Sequence, residues 1–208
     1  MSEQKETHDL ENVTVTEDQE PAPLREKIIL FLVMAAVIIA DQLTKNAVES
    51  QYSVGESWAP LPEIADFLRI TRVNNTGAAF GIFPSGSLVF MVVGVVVAAV
   101  IILYNRRLPK NHVWYRVALG LQLGGALGNL IDRFRQGGHV TDFIDVGPVP
   151  VFNIADASIV TGVILLLFLM LMDERKEKAS VESLEQPPAL AENTSGESPE
   201  DQPILWKE

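Results

Sequence analysis

Four apolar stretches, each bracketed by charge, set the pattern of this chain. The first runs from about Ile28 to Ala40 and extends through Leu43 to Val48. The second, Leu88–Tyr104, carries no charge at all. The third, Val113–Ile131, is glycine-rich and interrupted by Arg116 and Gln122, and the fourth is Ala155–Met172. A spanning helix needs roughly 20 mostly apolar residues, so the first and fourth stretches must borrow amphipathic flanks. The pattern predicts an all-α membrane protein with four transmembrane helices. The first stretch also has the short apolar core and preceding bases (Arg25, Lys27) of a cleaved signal peptide. No small-x-small site ends it, however. It ends in Asp41-Gln42, and further apolar segments follow.

The connection 46–87 has a pattern of its own. Phe67-Leu-Arg-Ile-Thr-Arg-Val73 is β-prone, with Arg69, Thr71 and Arg72 set among apolar residues, which predicts a small sheet. Trp58 in the same connection reads equally as an interfacial anchor and as ordinary loop packing.

Charge divides the 208 residues into three parts. The net −11 belongs to the ends. Residues 1–27 hold three Lys/Arg against eight Asp/Glu, residues 173–208 hold four against ten, and 28–172 hold nine of each. Residues 1–23 and 173–208 therefore read as disordered acidic tails around a membrane domain at 24–172. Neither tail resembles a nucleic-acid patch. Within the domain, Arg25 and Lys27, then Arg106, Arg107 and Lys110, then Arg175, Lys176 and Lys178 mark one side of the membrane. The positive-inside rule makes that side cytoplasmic, with both termini. Connections 46–87 and 133–154 then lie outside. There is no cysteine, which excludes disulfides, thiolate catalysis and Cys-based metal sites. His8, His112 and His139 are too scattered for a His-based site, so no metal is expected.

Candidate chemistry gathers on the outer side. His139-Val-Thr-Asp142-Phe-Ile-Asp145 leads through Gly-Pro-Val-Pro to Phe152-Asn153-Ile-Ala-Asp156, and Asp156 heads the fourth span. An ionisable group at a membrane helix end is a functional hypothesis by default. Two carboxylates converging there suggest acid–base chemistry on a substrate delivered by the membrane. Asn153 is a good N-cap, and Asp156 three residues on fits the far half of a capping box. That explains Asp156 structurally and leaves Asp142 unexplained. His139 reads as a satisfied loop histidine and Asp145 as a solvated loop carboxylate.

Other polar residues cluster nearby. Gly120, Gly124 and Gly128, with Gly125 beside them, make a bare ridge for close helix approach. Asn129 and Asp132 share a face at the outer end of that helix. Arg133 suits a helix C-terminus and can pair with a carboxylate. A structural polar clamp and direct catalysis both remain open for this trio. Asp41 and Lys45 are four apart, the spacing of an ion pair on one helix face. Lys45 meeting a lipid phosphate, or Asp41 ordering the outer loop, are the alternatives. Asn75-Thr-Gly77-Ala-Ala-Phe80 is either a tight turn or a place of close backbone approach, with Asn75 set to bind a substrate carbonyl.

Taken in order, five motifs resemble those of bacterial lipoprotein signal peptidase, the signal peptidase II family. They are Asp41-Gln-x-Thr-Lys45, Asn75-Thr-Gly-Ala-Ala-Phe80, Gly124-Gly-Ala-x-Gly-Asn129-x-x-Asp132-Arg133, Val140-x-Asp142-Phe-Ile144 and Phe152-Asn153-x-Ala-Asp156. The resemblance covers roughly residues 24–172. It implies an aspartic endopeptidase of the bacterial plasma membrane that removes signal peptides from diacylglyceryl-modified prolipoproteins, cutting just before the lipidated cysteine. It implies catalysis by Asp142 and Asp156, supported by Asp41, Lys45, Asn75, Gly77, Asn129, Asp132, Arg133 and Asn153. It further implies no cofactor, inhibition by globomycin-type peptides, and an extracytoplasmic β-cradle with a short helix. Two close carboxylates tend to share one proton. The N-terminal end of a helix favours Asp156 as the anion, which puts the proton on Asp142. The competing reading is a proton-coupled transporter or channel, although the acidic residues form no ladder across the membrane. A Ser–Lys peptidase using Ser158 or Thr44 with Lys45 is a third.

Overall fold

The computed structural model describes residues 21–77 and 86–185. Each apolar stretch becomes a helix longer than itself: α1 (Leu24–Gln51), α2 (Gly86–Arg107), α3 (Val113–Arg135) and α4 (Ile154–Glu185). Three strands complete the fold: β1 (Ser57–Trp58), β2 (Leu68–Asn75) and β3 (Val140–Val146). The expected short outer helix is a single 3-10 turn at Pro62–Ile64. The chain is thus mostly helical, with one small antiparallel sheet.

Among the described residues, three helical segments are long and apolar enough to cross a membrane: Leu24–Gln51, Ser87–Arg107 and Ile154–Val181. Leu32, Leu43, Leu88, Val100, Ile164 and Phe168 stay exposed on them, a greasy surface on a scale that marks membrane contact. The third expected span, α3, is not among those segments. Its sequence carries Arg116, Asn129 and Asp132, and the fold buries all three against neighbouring elements.

Glycines let that burial happen. A Cβ at Gly120 would lie 2.8 Å from the Leu30 carbonyl oxygen, and one at Gly124 2.7 Å from Val37 Cβ. A Cβ at Gly128 would lie 2.7 Å from Asp41 Oδ2. The ridge therefore seats α1 along the length of α3. Gly125, a quarter-turn away, does the same for α4, where a Cβ would overlap the Ala155 carbonyl oxygen. Small residues at a helix interface allow this approach where no hydrophobic drive exists between helices in lipid. Apolar filling comes from Leu30, Ala98, Ile101, Leu119 and Leu123.

The sheet has the order β1-β2-β3. Trp58 lies in β1, paired with Ile70 and half exposed. The β-prone run 67–73 is β2, extended to Asn75. Its partner β3 lies in the connection between α3 and α4. Arg69 faces Asp145, and a register irregularity between Ile70 and Val73 brings Val73 opposite Asp142. Arg72 Nη1 then donates to the Tyr52 and Glu49 carbonyl oxygens, at 2.6 and 3.1 Å. A cation there satisfies the orphan carbonyls at the end of α1. After β3 the chain turns at Gly147 (φ +51°). Phe152 then pairs back onto Ile144 through two backbone hydrogen bonds, 2.7 and 3.1 Å. That return delivers Asn153 and the start of α4 beside Asp142.

The compact unit that contains these elements ends at Met170, and Leu171 begins a second unit. Residues 173–185, expected to open a disordered acidic tail, continue α4 as helix. Oppositely charged residues at helical spacing favour this, as in the Lys178–Glu174 pair at 2.6 Å. The remaining tail residues, and Ala78–Phe80 of the Asn75 motif, lie outside the described residues.

Candidate active site

One ammonium organises the polar centre. Lys45 on α1 is 1% exposed and touches Asp41 Oδ2 and Asp132 Oδ2, both at 2.8 Å. Its third hydrogen bond goes to Asn129 Oδ1 at 3.0 Å. Asp41 and Lys45 do form the i,i+4 pair, yet Lys45 is sealed from any lipid phosphate. Asp41 Oδ1 also accepts the Ala155 N–H at 3.0 Å, which ties α1 to the first turn of α4. Asp132 accepts the Thr141 N–H at 3.3 Å, which ties α3 to β3.

Asparagines relay this centre outward. With its Oδ1 held by Lys45, Asn129 turns its amide nitrogen to Asp156 Oδ1 at 2.7 Å. Asn153 caps α4: its Oδ1 accepts the Asp156 N–H at 2.9 Å, and Asp156 Oδ2 receives the Asn153 N–H at 3.3 Å. This is the anticipated capping box. With Oδ1 so fixed, Asn153 Nδ2 points at Asp142 Oδ1, 2.7 Å away. Asn75 Oδ1 is likewise fixed by the Gly77 N–H at 2.8 Å, in a turn where Gly77 has φ +72°. Asn75 Nδ2 therefore donates to Asp142 Oδ2 at 2.8 Å. Asp142 and Asp156 are thus bridged through one asparagine, on β3 and α4 respectively.

Burial raises the Asp142 carboxyl to about 6, with the charge of Asp156 adding to the rise. The hydrogen bonds from Asn75 and Asn153 and the ammonium of Lys45 oppose it. Asp156 instead borders a cavity of about 550 Å³. Asn75, Gly77, Asn129 and Arg133 give this cavity a polar end, and Phe90, Val93, Val97 and Ile159 an apolar wall. Arg133 stands 5.4 Å over the Phe90 ring and donates to its own helix at the Asn129 carbonyl oxygen, 3.3 Å. Among the described residues its Nε has no hydrogen-bond partner.

Several residues depart from the expected picture. Asp145 is not a solvated loop carboxylate. It is 7% exposed, pairs with Arg69 at 2.9 Å and accepts from Thr71 Oγ1 at 2.8 Å. The β2–β3 register sets Arg69 opposite it, which the sequence of either strand alone does not reveal. His139 is the expected satisfied histidine, its Nδ1 2.9 Å from the Gln136 carbonyl oxygen. Ser158 and Thr44 spend their hydroxyls on carbonyls of their own helices, which removes the basis of a Ser–Lys pair. Three supporting residues lie outside the expected set. Gln42 donates to Asp132 Oδ1 at 2.9 Å. Glu49 Oε1 accepts from Thr141 Oγ1 at 2.6 Å and from Gln136 Nε2 at 2.9 Å. The available signal was the spacing of Asp41, Lys45 and Glu49 by four, a polar stripe on one face of α1.

Comparison with known proteins places this geometry. A family model described as signal peptidase (SPase) II matches residues 33–172. The chain belongs to the signal peptidase II family. A lipoprotein signal peptidase of Moorella thermoacetica is 46% identical over 143 residues, covering 68% of this chain and 93% of the relative. One from Bacillus velezensis is 43% identical over 155 residues, covering 73% and 99%. A solved structure described as a bacterial membrane enzyme aligns with TM-score 0.65 and 33% identity, covering 74% of this chain and 98% of that one. As in that fold, the apolar helices make this signal peptidase II homologue a multi-pass membrane protein.

Two measurements test the electrostatics. Removing one partner of a buried ion pair strands the others, at a cost of about 3–5 kcal/mol. Lys45→Met should therefore lower unfolding stability in detergent by that order, and a loss below about 1 kcal/mol would contradict the central role given to Lys45. The second concerns Asp142. A carboxyl with a raised folded-state pKa supports folding while protonated; that support is complete below about pH 4 and is lost as pH rises through about 6. Between about pH 4 and 7, the native chain should lose up to about 3 kcal/mol relative to Asp142→Asn. A stability difference that stays flat over that range would remove the raised carboxyl.

Proposed function

We propose that this chain is an aspartic endopeptidase that removes signal peptides from prolipoproteins, cutting just before the diacylglyceryl-modified cysteine. The observation that carries the reading is the pair Asp142 and Asp156, joined through Asn153, with Asp156 lining a half-apolar cavity. Such a cavity suits a substrate with a polar scissile bond and a greasy flank.

The chemistry follows from the pair. One proton is shared, because two close carboxylates do not both ionise easily. The ionised member takes a proton from water as it attacks the scissile carbonyl carbon. The protonated member donates to the carbonyl oxygen, and the proton then passes to the leaving amine. Each asparagine aims its amide nitrogen at a carboxylate oxygen, so the pair is held in place by groups that do not titrate. Asn75 and Arg133, both on the cavity wall, are set to orient the peptide. No step requires a metal or organic cofactor. Globomycin-type peptides would compete for the same cavity.

We assign α3 as the fourth span. Two of its charged residues are paired inside the protein, Arg116 with Glu26 and Asp132 with Lys45, which is how charged groups are held at membrane depth. Arg106 and Arg107 in the last turn of α2 and Lys110 before α3 then mark the cytoplasmic face, and both termini share it. The dyad lies at the opposite, outer ends of α3 and α4, in the bacterial plasma membrane. A transporter reading has no comparable support, since Asp41, Asp132 and Asp142 gather at one end of the helices and the buried acid at the other end, Glu26, is spent on Arg116.

Asp142→Asn and Asp156→Asn should each cut cleavage of a diacylglyceryl prolipoprotein by about 10²-fold or more while the purified protein stays folded. Near-normal turnover in either variant would remove the dyad. Orientation is tested with single cysteines in this Cys-free chain. Ser57→Cys should react with an impermeant thiol reagent in intact cells and Ser180→Cys should not. Labelling of Ser180→Cys would reverse the assigned topology.

A further inference from the structure

Glycine in the middle of a helix carries a conformational penalty relative to alanine, so each one asks for a reason. Among the glycines whose surroundings are described, Gly55, Gly77, Gly137, Gly138 and Gly147 have positive φ. Gly120, Gly124, Gly125, Gly128 and Gly162 are each pressed by a neighbouring helix, as at Gly162, where a Cβ would sit 2.6 Å from the Ala118 carbonyl oxygen. Gly94 has neither reason. It lies in α2 with no positive φ, and a Cβ there would meet nothing within 4 Å. What it does border is the cavity that Asp156 and Asn129 also line, between Val93 and Val97 on the apolar wall.

We propose that Gly94 is a specificity-determining position, whose missing side chain keeps the apolar wall open for an acyl chain of the lipidated substrate. The proposal rests on the peptidase reading above and names which part of the substrate uses this wall. Size favours an acyl chain over the signal-peptide helix. A helix about 10 Å across would fill about 550 Å³ with little more than one turn, whereas a flexible chain can lie along Val93, Gly94 and Val97. The α2 side of the wall offers no polar side chain at these three positions; Gln122 of α3 is the amide that also lines the cavity.

The test uses the purified full chain and two synthetic lipopeptides, identical except that one carries a dipalmitoyl and the other a dihexanoyl glyceryl group. Because no atom of the described residues stands within 4 Å of a Cβ at Gly94, Gly94→Ala should unfold at the same or a higher temperature, and Gly94→Leu should remain folded. Extra atoms in a hydrophobic pocket discriminate by about 10-fold or more, so Gly94→Leu should raise KM for the dipalmitoyl substrate by about that factor, with kcat little changed. The dihexanoyl substrate should show less than a third of that rise. Gly94→Ala should shift KM in the same direction by a smaller factor. An equal rise for both substrates would assign the wall to the peptide and overturn the proposal, as would no rise at all. Loss of folding in Gly94→Ala would show that the glycine serves packing, which also overturns it. If the native chain cleaves neither lipopeptide, the peptidase reading itself fails and takes the proposal with it.

Discussion

The rest of the structure hangs on an ammonium shared between two carboxylates in a place water does not reach. Lys45, Asp41 and Asp132 are each at most 1% exposed. One positive charge against two negative ones leaves a formal excess that must be absorbed by hydrogen bonds. The donors that absorb it are the Ala155 N–H, the Thr141 N–H and the Gln42 amide, and they come from α4, β3 and α1. Satisfying the charges therefore fixes the mutual position of four elements. A buried ion pair is a weak source of net stability, but its geometry is strict, since a displaced partner leaves a bare charge in a poor solvent. That strictness is what sets Asn129, and through it Asp156.

Backbone proximity is the second requirement, and the sequence supplies it in glycine. Asp41 reaches Ala155 only because Gly128 lets α1 close on α3 and Gly125 lets α4 do the same. A side chain at either position would hold the helices apart by more than a hydrogen bond can span. Glycine ridge and charge cluster are thus one device read at two scales. Dispersion packing alone would leave the helices free to slide in lipid, where neighbouring apolar surfaces are nearly interchangeable. The polar end of α1 sets their register.

The helices were legible from apolar runs, and the capping box at Asn153 and Asp156 from its spacing. The glycine ridge was legible too, because a spacing of four keeps small residues on one helix face. What the pattern understated was α3. Its Arg116, Asn129 and Asp132 lower its hydropathy, yet they are buried among partners that include Glu26, Lys45 and Gln42, 84 to 90 residues away in the chain. Asp145 was misread for a related reason: its cation, Arg69, is set by strand register across β2 and β3, and register is a property of the pair. Gln42, Glu49 and Gln136 escaped notice because a single polar residue near a helix end reads as a solvated face. Residues 173–185 were misassigned because their net acidity concealed the helical spacing of Lys178 and Glu174.

Asymmetry within the dyad follows from these constraints. Asp142 sits in a strand, closed off by Asn75 and Asn153 and nearly inaccessible. Asp156 sits in the first turn of a helix, half-buried and on the cavity. Burial disfavours charge on the first, and the charge of its neighbour Asp156 adds to that effect. The hydrogen bonds to Asp142 pull the other way, because both of its amide partners present donors with their orientations fixed by backbone N–H groups. The two tendencies oppose each other on a single carboxyl, and its value of about 6 is their balance. The family relationship says that such a chain processes prolipoproteins; the opposed influences on Asp142 give a physical reason why a carboxyl in that position can both hold and release a proton.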